Sequence, residues 1–111
     1  MTDPTDRGPT RIAPEAVARI CARAARQVAG VHALVGVPAR PHGVAVRLDD
    51  HAASVDVDVV TWYGRPVPTV ADAIRDAVIG EVEAVTGLTV REVTVTVDDV
   101  VVPGVDPPAP T

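Results

Sequence analysis

Val55-Asp56-Val57-Asp58-Val59-Val60-Thr61-Trp62-Tyr63-Gly64 sets valines at 55, 57 and 59 against aspartates at 56 and 58. Successive side chains of an extended chain point to opposite faces, so this period of two predicts a strand with one dry face and one wet face. The same pattern stands just upstream, where Val44, Val46 and Leu48 alternate with Ala45, Arg47 and Asp49. Asp50-His51-Ala52-Ala53 reads as the turn between the two, and Arg40-Pro41-His42-Gly43 as the turn before them. Val31–Val37, β-rich and ended by Pro38, is the first of three consecutive strands.

Helices are expected on either side of this strand group. Pro14 suits the first helical turn, Glu15 favours its dipole, and Val17, Ile20, Cys21, Ala24 and Val28 recur at helical spacing up to a stop at Gly30. Downstream, Thr69 is the expected N-cap, paired with Asp72, for a helix with the stripe Val70, Ile74, Ala77, Val78, Val82 and Val85, closed by Gly87. Gly80 in its middle suggests a close approach to the sheet. A last strand places Val93, Val95 and Val97 inward and Thr94, Thr96 and Asp98 outward, with Val100-Val101-Val102 continuing it after a bulge. The order α-β-β-β-α-β predicts an α+β fold: a two-layer sandwich with two helices on one face of a mixed four-stranded sheet. Residues 11–102 form its single domain, between a flexible tail at 1–10 and a Pro-rich flexible tail at 103–111.

Composition fits this architecture and narrows the function. The chain has 111 residues, with 24 Val and 17 Ala against one Trp, one Tyr and no Phe. Small, stiff side chains favour a sheet with closely packed Ala-faced helices. Every basic residue is Arg, and the net charge is −5. Without the tails, nine Arg face twelve acids, so the folded part is itself acidic. An acidic chain without a basic stripe is a poor binder of nucleic acid or anionic lipid. No stretch reaches the length of a membrane span and the N-terminus lacks a signal-peptide pattern, so a cytoplasmic location without direct membrane insertion is expected.

No catalytic constellation is legible. Ser54 has no nucleophile motif around it, and Cys21 falls in an apolar helical stripe with no base beside it. His32, His42 and His51 sit in a strand or turns without metal-ligand spacing, and the glycines form no phosphate-cradling loop, so no metal or cofactor is expected. Asp56 and Asp58 project from one strand face. Neutralisation by Arg47 makes them a solvated surface feature, with a divalent-ion site as the alternative. Trp62 has the same parity as these aspartates, and Tyr63 and Arg65 follow it. Together with Arg47, Asp56 and Asp58 they make the candidate partner-binding surface, because Trp, Tyr and Arg dominate contact centres. The competing reading has Trp62 capping the end of the core beneath a loop.

Ile12-Ala13-Pro14-Glu15-Ala16-Val17 opening a helix, then Val28-Ala29-Gly30-Val31, resembles the start of the alkaline shock protein family, the Gram-positive envelope-stress proteins. Val59-Val60-Thr61-Trp62-Tyr63-Gly64, Val67-Pro68, a helix, Val85-Thr86-Gly87-Leu88 and Val93-Thr94-Val95-Thr96-Val97 resemble its later run in order and spacing. The resemblance implies a cytoplasmic, non-enzymatic interaction or scaffold protein of the cell-envelope stress response. Such a protein acts through self-association, as a homo-oligomer, or through a membrane-anchored protein partner. A regulatory module binding a metabolic enzyme or small ligand is the alternative.

The tails contain little that could be buried, so deleting residues 1–10 and 103–111 is expected to leave thermal stability nearly unchanged. A calorimetric loss above roughly 2 kcal/mol would show that a tail docks on the core.

Overall fold

The computed structural model describes residues 10–105. Its elements are α1 (Pro14–Arg26), β1 (Val31–Leu34), β2 (Val44–Asp49), β3 (Ala52–Trp62), α2 (Val67–Thr86) and β4 (Thr89–Val101). The expected order and the α+β architecture are therefore those of the folded chain. The flexible tails expected at 1–10 and 103–111 fall largely outside the described residues.

β3 is the centre of the sheet. β1 pairs antiparallel with its C-terminal part and β2 antiparallel with its N-terminal part, so these two strands lie end to end along one edge. β4 runs parallel along the other edge, reached through the α2 crossover that parallel pairing requires. This arrangement explains why β1 stops at Leu34 and does not run to Val37. Beyond Val59 the edge of β3 belongs to β2, and only the Val35 N–H still reaches across, to the Asp58 carbonyl at 2.9 Å. The β2–β3 turn is also tighter than expected. Asp50 takes a left-handed conformation (φ 52°), and Ala52 and Ala53 already belong to β3 as buried residues.

The parity read from the sequence holds. Val55, Val57 and Val59 are fully buried and pack beneath Val17 and Cys21 of α1 and Ile74, Val78 and Val82 of α2. β4 bulges where Asp98 is inserted between Val97, opposite Val59, and Asp99, opposite Val60, and it continues to Val101, in line with the expected bulge. A second bulge, at Arg91, carries no obvious sequence mark.

Both helix termini differ from expectation in instructive ways. α1 ends at Arg26, not at Gly30; Gln27 caps it, with its N–H bonded to the Ala24 carbonyl. Gly30 instead serves a crowded junction. A Cβ there would lie 2.8 Å from Val70 Cγ2 and 2.9 Å from Arg65 Cδ, and its carbonyl accepts the Trp62 N–H at 2.8 Å. Thr69 is not the cap of α2 and Asp72 closes no capping box. Pro66 occupies the cap position, and Pro68, having no N–H, leaves one fewer first-turn donor to satisfy. Asp72 turns to Arg75 at 2.9 Å.

Two further expectations for α2 are corrected. Gly80 faces open space, so it marks no close approach to the sheet. Val85 is 61% exposed, because the buried stripe advances four residues at a time through Ile74, Val78 and Val82 toward half-buried Thr86.

Val57→Asp sets an unpartnered carboxylate in the fully buried layer and is expected to cost more than about 3 kcal/mol. Asp56→Val, one residue away, removes only a surface ion pair and is expected to change stability by less than about 1 kcal/mol. Denaturant titration monitored by circular dichroism compares them; equal losses would mean the strand parity is wrong.

Candidate interaction surface

The second face of β3 carries Ser54, Asp56, Asp58, Val60 and Trp62, all half-buried, and neither helix covers it. The face has two chemically distinct ends. Toward the β2 end, Arg47 Nη1 meets Asp56 Oδ2 at 2.8 Å, and Asp56 raises the Arg47 guanidinium's proton affinity, chiefly through this hydrogen bond. Next along the strand, Asp58, whose side chain is only 18% exposed, meets Arg40 Nη2 at 3.2 Å. Each carboxylate thus has its own arginine. Two separately neutralised aspartates do not converge on one cation or act as an acid–base pair, which favours the surface reading over the divalent-ion one.

Trp62 stands at the other end. It lies four residue steps along the strand from Asp58, about 13 Å at about 3.3 Å per residue. Its ring meets His32 edge-on, with centroids 4.3 Å apart and planes at 85°. His32 is the extra residue of a β1 bulge, where Val31 and Ala33 oppose the adjacent Thr61 and Val60. Its Nδ1 is buried without a hydrogen-bond partner, as is the Thr61 hydroxyl on the dry side of the strand. Trp62 is therefore neither fully exposed nor a core residue; it forms a half-buried aromatic shelf on the open face.

Of the six residues singled out in the sequence, Trp62, Arg47, Asp56 and Asp58 share this face. Tyr63, 68% exposed, stands in the turn beside it, its N–H bonded to the Val101 carbonyl at 2.7 Å. Arg65 goes elsewhere: its side chain lies against Gly30 and, with Val28, Thr69 and Val70, lines a small depression of about 180 Å³ on the helix side. Sequence reasoning missed His32 and Arg40. A one-residue bulge leaves no periodic mark, and Arg40 reaches Asp58 only because the β1–β2 loop folds back over the sheet.

Among the described residues no three His, Cys, Asp or Glu side chains gather as a metal site, and no hydroxyl or thiol is hydrogen-bonded to a histidine. Cys21 is fully buried, and its desolvation pushes the thiol up to about 11. A concavity of about 760 Å³ lies at the far end of β3, between Arg11, Leu48, His51 and Leu88. No described helix is long and apolar enough to cross a membrane.

A model of the alkaline shock protein 23 family, described as having a cell envelope-related function, matches residues 2–102. Stress response regulator gls24 homologs of Streptococcus pyogenes, among them those of serotypes M3 and M1, are 39% identical over 67 residues, covering 60% of this chain and 37% of theirs. The chain thus spans little more than a third of the length of the curated relatives it matches. Among solved structures, a variant of the MamM CTD superposes with a TM-score of 0.59 at 18% identity, covering 77% of this chain and 93% of that one. A manganese form of the same domain gives 0.58 at 19%, covering 77% and 96%. At such identities the likeness is one of fold.

Burial makes Cys21 inert, so a disulfide reagent at pH 8 is expected to modify it only on unfolding. Its raised thiol also has a consequence for stability. Below pH 9 the thiol is protonated in both states; above it the unfolded chain ionises first, so stability falls until about pH 11, where the folded thiol also ionises. The expected loss is roughly 2–3 kcal/mol across that interval. Urea titrations at pH 8 to 11 are expected to show this decline in the parent chain and not in Cys21→Ala.

Proposed function

Because this chain belongs to the alkaline shock protein 23 family, whose function is cell envelope-related, we propose that it is a non-enzymatic interaction module of the cell-envelope stress response. The observation that carries this reading is the open face of the sheet. Both helices pack on the Val55–Val57–Val59 side, and the opposite side presents an aromatic shelf at one end and two ion pairs at the other. Half-buried Trp62, adjoined by Val60 and Tyr63, is the anchor, since a rigid aromatic loses little side-chain entropy when it docks. The Arg47–Asp56 and Arg40–Asp58 pairs form a polar rim that sets orientation more than affinity.

The partner is a protein, membrane-anchored or a second copy of the chain, and the module itself stays in the cytoplasm. The stress-response naming of the Streptococcus pyogenes relatives supports the setting. An enzymatic role has no support in the geometry: the carboxylates are individually neutralised and the one thiol is buried.

Trp62→Ala combined with Arg65→Ala is expected to weaken partner capture at least about tenfold while the monomer stays folded. Most of the loss belongs to Trp62→Ala, because Arg65 lies on the helix side. Co-purification from detergent-solubilised, envelope-stressed cells, with a thermal melt as control, measures this. Normal capture by the double variant would remove this face as the contact surface.

A further inference from the structure

The outer edge of β4 is guarded at both ends and open in the middle. Among the described residues β4 pairs with β3 alone, so one side of its thirteen residues has no strand partner there. Side chains take three of its backbone groups. The Val90 N–H donates to Glu83 Oε2 at 3.0 Å, the Val93 carbonyl accepts Arg75 Nε at 3.1 Å, and the Val100 N–H donates to Asp99 Oδ1 at 2.8 Å. Glu83 and Arg75 both come from α2. Between these bonds lies Val93-Thr94-Val95-Thr96-Val97, which has no charge, no glycine and no proline. Arg91 and Glu92 precede it, and Asp98 and Asp99 follow it. Charged brackets and side-chain caps are how natural edge strands avoid indiscriminate pairing, and here they leave a central stretch uncapped.

We propose that this edge accepts β4 of a second copy, antiparallel, and that Arg75 is the guard withdrawn when it does. The occupant follows from the sequence of the edge. Val93–Val97 reads the same in both directions, so it is its own complement: an antiparallel pair aligns valine with valine on one face and threonine with threonine on the other. Centring the pair on Val95 aligns the whole stretch, Val93 with Val97 and Thr94 with Thr96. It sets Glu92 against Asp98 of the second copy but Arg91 against Asp99, so an opposite-charge pair offsets the like-charge pair at each end. That two-fold arrangement closes on itself, giving a dimer and not an open fibre.

Arg75 can be displaced because its only other partner is Asp72, in a surface ion pair whose side chains are 42% and 75% exposed. Five paired residues make a short strand addition, so the dimer is weak and concentration-dependent. This inference rests on reading the chain as an interaction module, but not on the Trp62 face.

Sedimentation velocity and amide hydrogen exchange on the full chain, over a range of protein concentrations, test it. The parent chain is expected to dimerise weakly, with slowed exchange in Val93–Val97 at high concentration. Arg75→Ala is expected to dimerise at least about tenfold more tightly, and Glu83→Ala to shift the same way. Trp62→Ala is expected to retain both effects. An Arg75→Ala chain that stays monomeric, or a dimer whose Val93–Val97 amides exchange as in the monomer, overturns the proposal. Dimerisation lost in Trp62→Ala and unaltered in Arg75→Ala would place self-association on the sheet face, sinking the edge while leaving the interaction-module reading intact. Protected β4 amides without any partner capture would do the reverse.

Discussion

Every other strand in this fold hydrogen-bonds to β3, and the structure depends on that strand holding one register. Its eleven residues pair with β1 and β2 along one edge and with β4 along the other. A slip of one residue would turn Val55, Val57 and Val59 to water and drive Asp56 and Asp58 under the helices, exchanging apolar burial for unpaired buried charge. Three neighbouring strands would have to re-pair at once. The bulges at His32, Arg91 and Asp98 absorb the length mismatches, so the alternation of β3 itself is never interrupted.

A core made of valine and alanine has a geometric consequence. Without phenylalanine, thickness must come from close approach, and the buried face of α1 is mostly alanine and cysteine. The tightest point is Gly30, where the α1–β1 turn, the end of β3 and the first turns of α2 meet. A side chain at that position would collide with Val70 and Arg65, so the junction rests on glycine for space as well as for its positive φ of 97°. Because so little of the aromatic content is spent on the core, Trp62 is available on the opposite face, steadied by the edge of His32.

The aspartates on that face are paired locally. Asp56 and Asp58 each meet a separate arginine, which keeps the face soluble without assembling a reactive centre. Similar economy appears along β4, where α2 lends Glu83 and Arg75 to backbone groups that no strand reaches. One helix thus closes the core with Ile74, Val78 and Val82 and shields an edge with its polar flank. The chain presents a sheet edge capped at its ends and open in its middle, and a sheet face that neither helix covers.

The sequence by itself determined the elements, their order, the parity of β2, β3 and β4 and the dry layer, because period-two and helical patterns are local records of which side meets water. It also placed Trp62 with Asp56 and Asp58, since parity alone decides a shared face, and it identified Arg47 as a neutralising partner from the neighbouring strand. The capping of α2 was misread because Thr69 and Asp72 satisfy a local rule that two flanking prolines make unnecessary. Only the tertiary structure decided that β1 and β2 share one edge of β3, that Arg40 reaches Asp58, that His32 stands against Trp62 and that Arg65 turns to the helix side. Those facts depend on where distant segments are brought together, and side-chain periodicity records burial without recording which neighbour does the burying.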